Sequence, residues 1–359
     1  MSVTFRLSVL DQSPVPEGST GADALHNTLD LARLADQLGY ERYWVAEHHG
    51  TPGLASAAPE VLIGPVAAAT ERIRVGSGGI MLPHYSPFKV AETFSALAGL
   101  YPGRIDLGLG RAPGTDGLTM YALQRDRREA APDDFPQQLS ELLGYLKGEL
   151  PAKHPFARLA STLPGLPERP QPWLLGSSPQ SAIWAGQLGL PYSFADFINP
   201  AGAEIAKLYR QHFAESEELP APVVSAAVWC ICAETTEEAQ RLAASARMSF
   251  RLLRQGKLIP VPPPEKAQRF LDQQDGADSF EPRPGRDRRA VIGDPEKVRE
   301  GIEEVARDYA AEEVMVVTIT YDHADRRRSY ELIAEAFGLG SATAAPASPQ
   351  LREHPATSV

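Results

Sequence analysis

Two adjacent histidines follow an acid at the end of a short apolar run, in the segment WVAEHHG (44–50). Imidazole exchanges a proton near neutral pH and also binds metals. His48 and His49 can therefore be metal ligands, a proton-transfer or hydrogen-bonding site at an organic cofactor, or a polar corner without chemistry. A catalytic metal needs ligands from further strand ends, for which His84 and Asp196 are candidates. Because LDQSP stands where a first-strand HxH pair would be expected, we favour a hydrogen-bonding or acid–base role of the histidine pair at an organic cofactor over a metal site, and a structural polar corner stays open.

A second candidate site is the segment GSSPQS (176–181). Serine is a preferred N-cap and proline suits the first helical position, so Ser178 and Pro179 predict a helix start. Free N–H groups and the positive end of the helix dipole make such a start an anion site. The segment also offers backbone access and hydroxyl groups from Gly176, Ser177, Ser178 and Ser181. We expect it to bind a phosphate; an ordinary N-cap is the alternative.

Two glycine-rich segments follow other apolar runs. In GSGGI (76–80), Gly78 and Gly79 allow the backbone to lie against a flat ring, although a bulge or tight packing explains them equally well. The segment GLGRAPG (108–114) has the spacing of a dinucleotide fingerprint only superficially, because no helix is predicted to begin there. Gly110 and Arg111 instead suggest close backbone approach to a planar ligand and a partner for an anion.

These segments are placed by a repeated alternation of strand-like and helical patterns. Eight short apolar runs are each followed by a helical pattern, such as Leu31, Leu34, Ala35 and Leu38, which share one helix face and precede a plausible stop at Gly39. The alternation predicts an α/β fold, a single-domain (β/α)8 TIM barrel, with an open doubly wound sheet as the alternative. Active sites of such barrels form at the carboxyl ends of the strands, where all the segments above lie.

We assign residues 1–339 to the barrel, with extra loop and helical insertions. The segment 255–289, rich in proline and charge, is an insertion and a possible lid, and 151–170 is a second long loop. Residues 340–359 consist largely of Ala, Ser, Thr and Pro and are expected to form a disordered tail.

Charge and composition exclude several classes of partner. The 359 residues include 35 basic and 46 acidic side chains, and the net charge of −11 opposes binding to nucleic acid or anionic membranes. No apolar run approaches the roughly 20 residues of a membrane span, so we expect a cytoplasmic protein. Cys230 and Cys232 share one face of a strand, which favours reduced, buried thiols.

Together these segments resemble the bacterial luciferase-like flavin oxidoreductase family, whose members use FMN or the related deazaflavin. The resemblance is near-continuous over residues 8–116 and resumes over 173–200 and 293–337. It rests on four segments: LARLADQLGYERYWVAEHH, RIRVGSGGIMLPHYSPFKVAETFSAL, GRIDLGLGRAPGTD and LGSSPQSA.

The resemblance implies a flavin lying across the strand ends of the barrel. It implies that His48 contacts the reacting part of the flavin and that a non-proline cis peptide lies at or beside Gly78–Gly79. The family's phosphate-binding groups map to Arg111, Ser177, Ser178 and Ser181. Two positions differ from the luciferases, since Gly110 replaces a reactive cysteine and Ser177 replaces an acid, so light emission from aldehydes is not implied.

The implied function is that of a flavin-dependent monooxygenase, in which reduced FMN from a separate flavin reductase acts with oxygen on a small organic substrate. His48 would hydrogen-bond or protonate the reacting flavin. Three alternatives stay open: a deazaflavin-dependent hydride-transfer oxidoreductase, a non-catalytic flavin-binding protein and a metal-dependent hydrolase. Family members often pair through helices that correspond to residues 59–70 and 87–99, which implies a homodimer.

Overall fold

The computed structural model shows a closed parallel barrel. It describes residues 5–112, 115–124, 127–128, 133–199, 202–216, 218–273 and 290–340. The nine strands, in chain order, are β1 (Arg6–Asp11), β2 (Arg42–Val45), β3 (Arg74–Met81), β4 (Ile105–Gly110), β5 (Gln171–Gly176), β6 (Tyr192–Ala195), β7 (Val224–Cys232), β8 (Val291–Gly293) and β9 (Glu313–Val317). Strands β1 to β7 pair in sequence, and β9 closes the barrel between β7 and β1, always in parallel. The predicted (β/α)8 barrel is confirmed and the open doubly wound sheet is wrong.

Helices follow every barrel strand. They are α1 (Gly21–Leu38), α2 (Pro59–Ala68), α3 (Pro87–Leu100), α4 (Gly117–Leu123), α5 (Phe135–Lys147), α6 (Pro179–Gln187), α7 (Gly202–His212), α8 (Thr236–Leu253), α9 (Pro264–Gln273), α10 (Pro295–Tyr309) and α11 (His323–Phe337). In helix α1 the local sequence is enough to define where the helix begins, because Thr20 and Asp23 form a capping box at its start. Gly39 ends it in the left-handed region at φ 88°, as predicted.

One strand and two α-helices are additional to the predicted alternation: β8, α9 and α4, which lies between β4 and α5. Strand β8 is only three residues long and pairs with Cys230–Cys232, the part of β7 that extends beyond its pairing with β9. Helix α9 lies inside the segment 255–289, which is therefore not a loop throughout. Residues 274–289 of that insertion and 341–359 of the predicted tail lie outside the described residues. Cys230 and Cys232 are free and buried, as expected.

The amino-terminal end of the barrel is closed by buried charges. Arg42, the first residue of β2, donates to Asp106 of β4 at 2.9 Å and to Glu313 of β9 at 3.0 Å. Arg74, which opens β3, pairs with the same Asp106 at 2.5 Å. All four side chains stand at the start of their strands, so this end is filled by ion pairs. A ligand must therefore enter at the opposite, carboxyl end.

The α8–α9 hairpin is attached to the carboxyl end. Between its helices, Val261 N donates to Val15 O at 2.9 Å, and Glu17 N donates to Val261 O at 2.8 Å, both in the loop after β1. Phe250 of α8 meets the Trp229 ring of β7 edge-on, with ring centroids 4.7 Å apart. The hairpin thus connects β7 to the loop after β1 across the carboxyl end of the barrel, which is called the mouth below.

Candidate active site

His48 lies directly after β2, at the mouth of the barrel. Its backbone N–H donates to Ser56 O at 2.9 Å, which fixes the chain at this point. Its ring Nδ1 is buried and has no hydrogen-bond partner among the described residues. Burial of the ring, and secondarily the neighbouring His49, lowers the pKa of His48 to about 4. The ring is therefore neutral at physiological pH and has a polar atom available for a ligand.

His49 faces a different environment. Its Nε2 lies 2.7 Å from Oε1 of the fully buried Glu47, and its ring meets His84 edge-on at 5.8 Å. Thr115 donates to the His49 carbonyl at 2.9 Å, which ties this turn to the loop after β4. The two histidines of the motif thus differ, and Glu47 is a site residue whose role the sequence did not reveal.

The peptide bond between Gly78 and Gly79 is cis, at the position that the family resemblance indicated. The register between β3 and β4 shifts between Ser77 and Ile80, so a bulge accompanies it. A Cβ on Gly79 would lie 2.7 Å from Gly108 O, and one on Gly78 would collide with the Leu10 side chain. Tight packing in the barrel wall therefore accounts for both glycines, and their contact with a flat ring stays a prediction.

At the end of β4, Gly110 is buried and Arg111 is exposed. A Cβ on Gly110 would lie 3.2 Å from the Met81 sulfur, so β3 and β4 are closely packed here. The Arg111 guanidinium carbon stands 5.9 Å from the ring centroid of Trp184 on α6. No described helix begins at Arg111, and α4 starts only at Gly117, which agrees with our rejection of a dinucleotide fingerprint.

Helix α6 begins as the sequence predicted. Ser178 is its N-cap and forms a capping box with Ser181, whose hydroxyl also lies 3.0 Å from that of Tyr192. A Cβ on Gly176 would overlap the Ser181 side chain, so glycine is needed for this turn. Asn199 donates to the Ser177 carbonyl at 2.7 Å. The hydroxyls of Ser178 and Ser181 are engaged with each other, and Ser178 is exposed to solvent.

The predicted site residues thus occupy the exits of four neighbouring strands. His48 follows β2, Gly78 and Gly79 lie in β3, Arg111 follows β4, and the α6 start follows β5. These strands pair consecutively, so their exits form one continuous arc of the rim. The Arg111–Trp184 contact brings the predicted anion partner to α6.

An aromatic wall was not predicted. Trp229 meets Phe197 edge-on at 5.2 Å and Phe250 at 4.7 Å. The three rings come from the β6 exit, β7 and α8 and belong to one apolar cluster that extends into the barrel. Because they are far apart in the chain, only the strand-end rule could have indicated that they meet.

The sequence model of the luciferase-like monooxygenase family matches residues 4–312 of this chain. The chain belongs to the luciferase-like monooxygenase family. It is therefore an oxidoreductase, and its eight-stranded barrel is the expected frame for the arc described above.

Two relatives in this family match over most of the chain. A luciferase-like monooxygenase of Escherichia coli strain K12 is 41% identical over 333 residues, which cover 92% of this chain and 96% of the relative. An N-acetyl-S-alkylcysteine monooxygenase of Bacillus subtilis strain 168 is 38% identical over 340 residues, covering 92% and 98%. Among solved structures, apo-MsnO8 is 43% identical, with a TM-score of 0.85 and coverage of 94% and 99%.

More distant solved structures share the fold. The oxygenating constituent of a 3,6-diketocamphane monooxygenase of Pseudomonas putida, in complex with FMN, has a TM-score of 0.68 at 19% identity, covering 93% of this chain and 97% of its own. An F420-dependent secondary alcohol dehydrogenase, in complex with an F420–acetone adduct, has a TM-score of 0.62 at 15% identity, with coverage of 93% and 99%.

The described residues offer neither a metal cluster nor a membrane-spanning helix. Within them, no group of three or more His, Cys, Asp or Glu side chains is arranged to hold a metal ion. No helix in the described part of the chain is long and apolar enough to cross a membrane.

Proposed function

We propose that this chain is a monooxygenase that uses reduced FMN and oxygen to oxygenate a small organic substrate. The observation that carries the proposal is the buried, unpartnered Nδ1 of a neutral His48 on the same rim arc as Arg111 and the α6 start. A buried polar atom without a partner costs free energy unless a ligand satisfies it. An uncharged imidazole and an exposed guanidinium on one arc fit the two ends of FMN, a polar ring edge and a phosphate.

The chain's own groups have separate roles in this proposal. Arg111 and the first turn of α6 hold the phosphate, and Gly78, Gly79, Gly110 and Gly176 allow close approach of the backbone. When bound, reduced FMN supplies the two electrons needed to transfer one oxygen atom of O2 to the substrate and reduce the other to water. His48 donates or accepts a hydrogen bond at the reacting edge, and the aromatic wall excludes water there.

The test is an oxygen-transfer assay with reduced FMN supplied chemically. We choose N-acetyl-S-alkylcysteines as the first substrates, because a relative of 38% identity is named for them. Incorporation of one labelled oxygen atom from O2 supports the proposal. Tight binding of oxidised FMN without any turnover across a substrate panel would favour a flavin-binding protein, and preference for coenzyme F420 would favour hydride transfer by a deazaflavin.

Replacing the anion partner should weaken FMN binding through its phosphate. We expect Arg111→Ala to raise the dissociation constant of FMN roughly 10-fold or more, in line with the loss of a charge-assisted hydrogen bond of about 1.5–3 kcal/mol. Riboflavin, which lacks the phosphate, should bind the variant and the wild type equally. Flavin fluorescence titration measures both ligands, and Arg158→Ala, at an exposed arginine of the loop before β5, is the matched control. Equal losses for FMN and riboflavin would contradict the phosphate assignment.

The finer expectations from the sequence and from the family resemblance belong to the same proposal. A separate flavin reductase supplies the reduced FMN, the protein is cytoplasmic, and the described part of the insertion 255–289, which includes α9, shields the mouth. A homodimer forms through α2 and α3, where Val61 and Leu100 are 65% and 71% exposed. Light scattering that finds a monomer at micromolar concentration would overturn the dimer.

A further inference from the structure

One buried carboxylate joins the exits of β2 and β3. Glu47 is fully buried, and its Oε2 accepts a hydrogen bond from Met81 N at 2.9 Å. Its Oε1 lies 2.7 Å from Nε2 of His49. Burial of Tyr85, followed by the charges of the neighbouring Glu47 and Glu60, raises the pKa of the Tyr85 hydroxyl. Glu47 therefore has two hydrogen-bond partners, one of which, Met81, belongs to the next strand exit.

Glu47 and His49 are the residues on either side of His48 in the chain. Glu47 precedes it and is bonded to β3, while His49 follows it and is bonded to Glu47. The backbone N–H of His48 itself is held by Ser56 O. The His48 ring, in contrast, has its Nδ1 without a partner among the described residues. Its direction is therefore set by the backbone on either side, which Glu47 holds.

We infer that Glu47 is a positioning residue that aims His48 into the mouth of the barrel by fastening the β2 exit to the β3 exit. The inferred effect of Glu47 on catalysis rests on the proposed function, whereas its effect on the position of the His48 ring does not. Glutamine in place of Glu47 offers an N–H group where one oxygen accepted before. It therefore either loses the bond to Met81 N or donates to Nε2 of His49, which requires the Nδ1–H tautomer of His49. Misplacement of a reacting group by about 1 Å costs about 100-fold in rate.

Glu47→Gln should therefore lower the oxygenation rate constant about 10- to 100-fold and leave the KM for the organic substrate within about threefold. A role in folding alone would not split the two constants in this way. The second readout needs no cofactor: imidazole correlation spectra of the full-length, isotope-labelled apoprotein, with the His48 and His49 resonances assigned from His48→Asn and His49→Asn. We expect both resonances to move in Glu47→Gln.

Glu71→Gln is the matched control, because Glu71 is an exposed acid in the turn before β3, at the opposite end of the barrel from the strand exits. It should leave the His48 resonance in place and the rate within about twofold, as for a surface substitution away from the site. A His48 resonance in Glu47→Gln that coincides with the wild type, or an equal displacement in Glu71→Gln, overturns the inference.

The inference can still be tested if Glu47→Gln does not fold or if the wild type shows no turnover. If Glu47→Gln does not fold, Tyr85→Phe removes the neighbouring hydroxyl and retains the Glu47 carboxylate; it should displace the His48 resonance in the same apoprotein spectrum, and an unmoved resonance contradicts the inference. If the wild type shows no turnover with FMN, the proposed function fails, while the resonance measurement still decides whether Glu47 positions His48.

Discussion

His48→Asn should lower the rate of substrate oxygenation about 10²- to 10⁴-fold, the usual contribution of a positioned proton donor or acceptor. The expectation follows from the buried Nδ1, which no described residue satisfies, and from the location of the ring at the end of β2. Asparagine retains a side chain that can hydrogen-bond but cannot exchange a proton near neutral pH. The dissociation constant of FMN should change only a few-fold, because the phosphate is assigned to Arg111 and the α6 start.

The pH dependence gives a second check on His48. Since its pKa is lowered to about 4, the ring is neutral from pH 6 to 8 and its titration should leave the rate constant unchanged over that interval. A loss that depends on His48 should appear only as the pH falls toward 4, where the ring becomes protonated. Rate profiles of the wild type and His48→Asn should therefore be parallel between pH 6 and 8.

The control for this variant is His26→Asn, at an exposed histidine of α1, which follows β1 and lies outside the arc from β2 to β5. It should retain the wild-type rate and FMN affinity. A His48→Asn enzyme that oxygenates its substrate at the normal rate would show that His48 has no role at the reacting centre. A large loss of FMN affinity without a change in rate would instead assign His48 to binding.

The barrel and the arc of strand exits could be predicted because their signals are local. Apolar period, caps and glycine stops lie within a few residues of each other, as at Ser178 and Gly39, and the strand-end rule then converts chain order into position. The family resemblance added the cis bond at Gly78–Gly79 and the difference between His48 and His49. The glycines near the strand ends, such as Gly78 and Gly79, did not by themselves predict a binding site, because packing of the barrel wall explains them as well as a ligand does.

Contacts between distant parts of the chain could not be read in this way. The wall of Phe197, Trp229 and Phe250 joins three elements, and no local pattern relates them. Strand β8 has three residues, too few for a periodic signal, and exists because β7 extends beyond the barrel. Helix α9 was hidden in a segment whose composition resembles a loop.

The largest of these distant contacts is a buried ion pair at the β1 exit. Arg326 of α11, 2% exposed, donates to Asp11 at 2.5 Å, across 315 positions of sequence. Asp11 also accepts from Ser13 N at 2.7 Å, from Thr28 at 2.7 Å and from Tyr43 at 2.5 Å. Burial opposes ionisation of Asp11, but the charge of Arg326 and the hydrogen bonds hold its pKa below the usual value.

Arg326→Met should therefore destabilise the protein by about 3–5 kcal/mol, because it leaves the Asp11 carboxylate buried without its countercharge. Removing both charges with Asp11→Asn and Arg326→Met should recover part of that loss, since an uncompensated charge costs more than an absent pair. The control is Arg327→Met on the same helix: its partner Asp30 is 45% exposed, and such a pair is worth about 0–1 kcal/mol. Urea unfolding of the four proteins at pH 7 measures these differences.

The pH dependence of the same experiment distinguishes a charge effect from a packing effect. In Arg326→Met, burial without a countercharge raises the pKa of Asp11 above its value in the unfolded chain, so the destabilisation is full at neutral pH and falls as the carboxyl becomes protonated. In the wild type the lowered pKa keeps Asp11 ionised as the pH falls from 7 to 4. The stability gap between the two proteins should narrow from pH 7 to pH 4. A gap that stays constant would assign the loss to the missing side-chain volume of Arg326, and the Asp11 carboxylate would then contribute nothing through its charge.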